Sequence, residues 1–292
     1  MLDTILDSPL SPWLQHDTDA TDHIVISSRI RLARNFDGIL FTNRNDTSSL
    51  EKVNTISRGL LQPLKEADGH QYSNINLEQL SERERAILVE KHLMSPALEE
   101  KLPYRNLVVS DDASIVIMVN EEDHLRIQSM VSGLRLQEAY EHAKKIDKAI
   151  EAKYPYAFDE RFGYLTACPT NVGTGLRASV MLHLPALTIS GRITRLIRSI
   201  IQLGYSVRGL YGEGSEALGN IYQISNQRTM GVSEEDTIEQ LTKIVEGIIA
   251  EERKSRQSLL HNDKEGLEDV LWRSFGVLQY ARRVNGKEAL TK

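Results

Sequence analysis

A chain of 292 residues with 40% apolar and 26% charged side chains can bury a large core and has the composition of a globular protein. Its formal net charge of −6 supplies no global basic field, which argues against direct nucleic-acid binding or an anionic membrane surface. The lone cysteine, Cys168, excludes an internal disulfide and a cysteine-rich zinc site; with no signal-peptide or membrane-span pattern, a cytoplasmic protein is expected.

Residues 1–22 are polar, with Leu10, Trp13 and Leu14 as the candidate anchor. Residues 23–35 alternate like a strand, which puts Arg29 and Arg31 on one face and Ile30 and Leu32 on the other. Helices are predicted over 49–64 and 77–93, joined by a polar loop. Strands follow over 107–109 and 114–119, then over 125–130 after the acidic segment Asn120-Glu121-Glu122-Asp123-His124. A helix over 132–153 lines up Leu136, Ala139, Tyr140, Ala143, Ile146 and Ile150. Next come a strand ending at Cys168, a Gly-rich loop, a strand over 176–184 and a helix over 192–203. Strands over 205–210 and 220–225 flank a Gly-rich flap, and Ser233 with Asp236 opens a long helix. The charged run 251–256 is expected to break that helix before a last one carrying Leu267, Leu271, Phe275 and Leu278. Short turns between strands predict an α+β fold, a large and mostly antiparallel sheet flanked by helices.

Three groups of residues carry candidate chemistry. In segment 166–178 Pro169 stops a strand, and Gly173 and Gly175 permit backbone conformations closed to other residues, so Cys168 sits on a stiff loop. Most lone cysteines are inert buried thiols; the loop points the other way. Arg29, Arg31, Arg126, Arg177 and Arg208 lie in four strand segments beside turns. Any one of them reads as a solvated strand face, but five on one sheet repel each other unless an anion lies among them. Guanidinium forks match phosphate oxygens, so a polyphosphate fits. Glu121 and Glu122 fall at a hairpin tip and Glu213 in the flap, where charged residues are common for solvation alone.

Four blocks resemble the motifs of the phosphagen (guanidino) kinases, in family order. They are Ser-Ser-Arg-Ile-Arg-Leu-Ala-Arg (27–34), Asn-Glu-Glu-Asp-His-Leu-Arg-Ile (120–127), Cys-Pro-Thr-Asn-Val-Gly-Thr-Gly-Leu-Arg-Ala (168–178) and Arg-Gly-Leu-Tyr-Gly-Glu with Ile-Tyr-Gln-Ile-Ser-Asn (208–226). The resemblance implies the phosphagen-kinase catalytic fold, glutamine-synthetase-like, over 1–255 and the start of a helical C-terminal domain over 256–292. It implies ATP with Mg²⁺, the metal held mainly by phosphates and water. Nucleotide contacts implied are the five arginines, Ser27, Ser28, Ile30, Ala178, Ser179, Val180, Met181, Gly209, Leu210, Tyr211 and Gly212, with His92 in Lys-His-Leu-Met-Ser-Pro as a further one. Glu122 is implied as the catalytic carboxylate, Glu121 as its neighbour and Glu213 as a second guanidinium clamp, with Cys168 meeting the guanidinium. Such chemistry needs carboxylates because a protonated guanidine must be aligned and must lose a proton as its nitrogen attacks phosphorus.

Within the family, kinases of free arginine or creatine carry a helical N-terminal domain, whereas this sequence opens almost at the first arginine strand. Met181 stands where a nucleotide-site histidine is expected, and Ser-Pro-Trp occurs at 11–13. These features resemble the bacterial protein-arginine kinases, which phosphorylate arginine side chains of proteins and mark them for the Clp protease. The implied partners are protein substrates with accessible arginines, a zinc-binding activator protein, the Clp ATPase and a heat-shock repressor; a homodimer is open. Members of that subfamily continue past the equivalent of Lys292 into a phosphoarginine-binding motif. Two alternatives stand: a kinase of free arginine or another small guanidine, and a non-catalytic adaptor binding phosphoarginine or a repressor. The intact set of acids, thiol and arginines counts against the adaptor. No P-loop, His-Arg-Asp, Asp-Phe-Gly or His-Glu-x-x-His motif occurs, and histidine spacing suggests no metal site.

Overall fold

The computed structural model describes residues 2–8, 10–14, 23–44, 46–209 and 217–291. Its strands are β1 (Val25–Arg34), β2 (Tyr72–Asn76), β3 (Asn106–Ser110), β4 (Ile115–Val119), β5 (Leu125–Ser132), β6 (Phe158–Asp159), β7 (Gly163–Tyr164), β8 (Leu176–His183), β9 (Tyr205–Gly209) and β10 (Ile221–Asn226). Eight of them form one sheet in the order β2-β3-β4-β5-β1-β8-β10-β9, antiparallel at every step, while β6 and β7 pair as a short ribbon. The helices are α1 (Leu2–Asp7), α2 (Thr47–Arg58), α3 (Leu61–Asp68), α4 (Glu82–Glu90), α5 (Leu136–Glu151), α6 (Pro185–Ile189), α7 (Ile193–Gln202), α8 (Glu234–Asn262), α9 (Lys264–Tyr280) and α10 (Gly286–Thr291).

Strand alternation gives the two sheet faces different fates. Ile30, Leu32, Ile127, Ala178, Val180 and Ile224 point to one face and bury against Ala139, Ala143 and Ile146 of α5 and Leu241 and Val245 of α8. On the other face a second core of Trp13, Ile75, Leu88, Val116, Met118 and Met130 covers the β2–β5 half. The rest of that face, on β1, β8, β10 and β9, is left to Arg29, Arg31, Arg177, Ser179, Arg208 and Gln223. Half of one sheet face is thus a polar trough. Trp13 does anchor the N-terminal segment, being 4% exposed, whereas Leu10 is 55% exposed.

Several elements differ from the expectation. The first expected helix divides into α2 and α3 at Gly59, and Leu60 is fully buried at the break. The polar loop after it contains β2, held by an amide ladder in which Asn106 Nδ2 donates to Asn74 Oδ1 (2.6 Å) and Asn54 Nδ2 to Asn106 Oδ1 (3.1 Å). The next helix shortens to α4, opened by a reciprocal capping box between Ser81 and Glu84. β5 extends to Ser132, and α5 starts at Leu136. No strand ends at Cys168; Cys168 precedes a 3₁₀ turn, Pro169–Asn171. Nor does the charged run break α8, because Glu252 and Ser255 are buried there. Both Glu252 carboxylate oxygens accept from α6, from Ala186 N (3.1 Å) and Leu187 N (3.0 Å), and Arg256 Nε lies 2.9 Å from one of them. α9 covers the last helical pattern and buries none of its residues. Among the described residues, no helix is long and apolar enough to cross a membrane.

Candidate active site

The trough is an arginine cage assembled by register. Arg31 stands directly opposite Arg177 across β1 and β8, Arg29 opposite Ser179, and Arg126 opposite Ala33. Like charges facing each other across strands are destabilising by themselves. Hydroxyls hold two of the forks, with Arg29 Nε donating to Ser179 Oγ (3.3 Å) and Arg177 Nη2 to Ser206 Oγ (3.2 Å). Arg31 Nε is buried and, among the described residues, has no acceptor. Burial, then the charges of Arg126, Arg177 and Arg208, lower the Arg29 pKa to about 10; burial and three neighbouring guanidinium groups lower that of Arg31 strongly, with Glu121 opposing. A cleft of about 250 Å³ is lined by Arg31, Arg126, Arg177, Arg208, Glu122 and Cys168, among others. Crowded, desolvated cations with an unspent buried donor are complementary to a polyanion. The set therefore fits the phosphates of a nucleotide.

The β4–β5 hairpin brings the acids to the edge of this cage. Glu121 is 8% exposed and its oxygens are committed: Oε1 to Arg126 Nη1 and Ser95 Oγ, both at 2.7 Å, and Oε2 to the backbone N of Glu122 at 2.9 Å. Glu122 keeps its side chain 43% exposed, with Oε2 3.1 Å from Arg126 Nη2. Its carbonyl accepts from Thr42 Oγ1, which fixes the turn from outside. Glu121 is thus a buried brace and Glu122 the carboxylate presented to the cleft.

Cys168 reaches the same cleft through a network that the sequence reading overlooked. Buried Asp123 Oδ1 accepts from Asn35 Nδ2 (2.7 Å) and from the backbone N of Ala167 (2.6 Å), while Asn35 Oδ1 accepts from His124 N (2.9 Å). The acid hairpin, the end of β1 and the cysteine loop are tied together at one carboxylate. Burial raises the Asp123 pKa against those two hydrogen bonds, and among the described residues its other oxygen has no hydrogen-bond partner. The sole signal for Asp123 was its place inside the Asn-Glu-Glu-Asp-His block. Gly175, at φ 64°, lets the loop press on β1: a Cβ there would lie 2.6 Å from Ala33 O. Cys168 Sγ is 3.0 Å from Thr170 Oγ1.

Other expected nucleotide contacts divide by side-chain direction. Ser27, Ser179 and Met181 line the trough beside Arg29. Ser28, Ile30, Ala178 and Val180 turn their side chains away, as strand alternation requires: the last three are fully buried in the helix-side core, and Ser28 Oγ donates to Gly133 O (2.8 Å). His92 lies close enough to Arg29 that burial, together with that charge, lowers its pKa to about 4. Gly209 closes β9. Leu210, Tyr211, Gly212 and the expected clamp Glu213 lie outside the described residues. Arg34, the third arginine of its block, is committed elsewhere, 2.8 Å from Asp147 and over the Tyr164 ring. Both carboxylates described at the cage face Arg126. His70, Asp111 and Asp112 bring three potential metal ligands within 4.8 Å of one another, and the 2.8 Å contact of His70 Nδ1 with Asp111 accounts for most of that cluster.

Residues 52–255, which contain three of the four motif blocks, match the family described as ATP:guanido phosphotransferase, C-terminal catalytic domain. The chain belongs to the ATP:guanido phosphotransferase family. Similar proteins include a protein-arginine kinase of Syntrophomonas wolfei, 47% identical over 280 residues that span 96% of this chain and 78% of that protein. Another, from Halalkalibacterium halodurans, is 46% identical over 293 residues, 100% of this chain and 81% of the relative. Among solved structures, the duplicated taurocyamine kinase of Schistosoma mansoni with bound transition-state-analogue components aligns with a TM-score of 0.71 at 29% identity, over 85% of this chain and 35% of that one. Lombricine kinase aligns with a TM-score of 0.70 at 25% identity, over 87% of this chain and 71% of that one. As a member of the ATP:guanido phosphotransferases the chain is a guanidino kinase, and its sheet is the fold those structures share.

Proposed function

We propose that the chain transfers the γ-phosphoryl group of ATP to a guanidino nitrogen of arginine side chains in proteins. The observation that carries this reading is the meeting, in one cleft, of the arginine cage with Glu122 and Cys168. The relatives named protein-arginine kinase support the choice of substrate. Arg29, Arg31, Arg126, Arg177 and Arg208 hold the phosphates and neutralise charge as it develops, with His92 at the nucleotide. Mg²⁺, bound to phosphates and water, supplies further charge neutralisation. Glu122, with Cys168 and Glu213, aligns the guanidinium. Glu122 then accepts the proton as the N–P bond forms and the bond to the ADP oxygen breaks. Positioning and electrostatics supply nearly all the rate, because phosphoryl transfer asks little covalent work of a protein.

By the same reading the protein acts in the cytoplasm. Its modified substrates pass to a Clp ATPase as part of a stress response, and a zinc-binding activator and a heat-shock repressor are among its partners; co-purification from stressed cells tests these. The direct test incubates the protein with radiolabelled ATP and either casein or free arginine. Label is expected on protein, lost in acid and stable in base, with little on free arginine at equal concentration. Glu122→Gln should lower that turnover by roughly 10²–10⁴-fold with ATP affinity nearly kept. A higher kcat/KM for free arginine would replace this reading with that of a small-guanidine kinase.

A further inference from the structure

Glu122 borders two clefts. Beyond the arginine cage lies a second of about 460 Å³, lined by Thr42, Thr47, Leu50, Leu102, Arg105 and Asn120, among others, with Glu122 lining both. A guanidinium presented to the phosphates at Glu122 must send its aliphatic stem away from them, and this second cleft is the volume that Glu122 shares. Leu50, Leu102 and Pro103 offer that stem apolar surface.

The second cleft is charged oppositely at its two markers. Glu122 supplies an anion; Arg105 supplies a half-buried cation. Arg105 Nη1 donates to the carbonyls of Ala97 (2.9 Å) and Glu100 (3.5 Å), and among the described residues no carboxylate oxygen lies within 4.0 Å of its guanidinium. Burial lowers its pKa while the charges of Glu100 and Glu121 raise it. Asn120 also lines this cleft, 3% exposed, and its Oδ1 finds no donor among the described residues although Nδ2 donates to Leu50 O and Tyr104 O. A cation with no carboxylate within 4.0 Å and an amide oxygen without a donor, both among the described residues, are what a polypeptide bearing an acidic side chain and backbone N–H groups would satisfy.

We propose that this cleft seats the polypeptide around the target arginine, and that Arg105 selects substrates with an aspartate or glutamate close to that arginine. The proposal rests on the protein-arginine reading above. Its test measures kcat/KM for matched peptides with one arginine, flanked by Asp, Ala or Lys, on the wild type, Arg105→Ala and Arg105→Glu. The wild type should favour the Asp peptide over the Ala peptide by about fivefold and disfavour the Lys peptide. Arg105→Ala should bring the Asp-to-Ala ratio close to one. Arg105→Glu should reverse the order in favour of Lys, a result that a damaged fold cannot produce. If the wild type shows no preference, or both variants keep it, Arg105 does not select and the proposal falls while peptide phosphorylation stands. If free arginine is labelled and no peptide is, the protein-arginine reading itself falls and the cleft proposal with it.

Discussion

Arg34 and Arg177 are both strand arginines beside a turn, separated in role by what faces them. Arg177 looks across the sheet at Arg31, so an anion has most to gain there. Arg34, 2% exposed, is already neutralised by Asp147, whose two oxygens accept from Nε and Nη2. Arg177→Ala should therefore weaken ATP binding by about 2–4 kcal/mol in calorimetry, the worth of a charge-assisted bidentate contact, and leave the melting temperature nearly unchanged. Arg34→Ala should do the reverse, losing about 3–5 kcal/mol of stability because it strands a buried carboxylate. An Arg177 variant with wild-type ATP affinity would remove that residue from the cage. The alternation around Ile30 and Leu32 told the two faces of β1 apart in the sequence, but nothing in the block Arg-Ile-Arg-Leu-Ala-Arg could reveal that its last guanidinium belongs to Asp147, 113 residues away.

At the scale of elements, the site depends on how hairpin and loop are joined. Asp123→Ala should cut the tie between them and lower kcat by about 10²-fold, since small misplacements of reacting groups are costly, with little change in ATP affinity. Asp123→Asn retains an acceptor oxygen for Ala167 N and should recover most of the loss. A wild-type kcat in Asp123→Ala would show that the loop holds Cys168 unaided. Elements with apolar periodicity were legible: β1, β3, β4, β8 and α9 stand where the pattern put them, and α5 keeps its apolar stripe although it starts four residues later. Those held by polar groups were not. β2 rests on Asn74 and Asn106, which read as loop residues, and α8 continues because Glu252 turns inward to cap α6, whereas charge in a sequence reads as solvent. The Gly loop was legible as stiff, yet the tie that stiffens it comes from Asp123, far away in the chain.

For the whole molecule, two cores on one sheet leave several histidines neutral. Burial, then Arg29, lowers His92 to about 4 from 6.5; burial lowers His124 against its Leu40 carbonyl, and burial with Arg256 lowers His183 against Glu252. In each case the folded value lies below the unfolded one, so the unfolded chain takes up protons first as pH falls. The stability is fully present above about 6.5 and is lost on descending towards 4, with His92 contributing on the order of 2 kcal/mol given its partial exposure. Urea melts from pH 7.5 to 5 should show this decline, and His92→Gln should flatten it; an unchanged slope would assign the loss to other groups. The composition pointed to one large core and the resemblance to one sheet, but the division of one face into an apolar half and a polar trough needed three dimensions.

The central place of β1 has a consequence for synthesis. β1 is the earliest strand of the sheet in the chain, yet its two neighbours are β5 and β8, and Leu176 follows Arg34 by 142 residues. At about 5–20 residues per second, a ribosome needs roughly 7–30 s to deliver that second neighbour. During this interval a ten-residue strand with a strongly apolar face has at least one edge unpaired, a template for pairing with other nascent chains. Arg177 arrives only with that neighbour, and Arg208 later still. The nascent chain therefore passes through a stage in which β1 is exposed and the arginine cage is still incomplete.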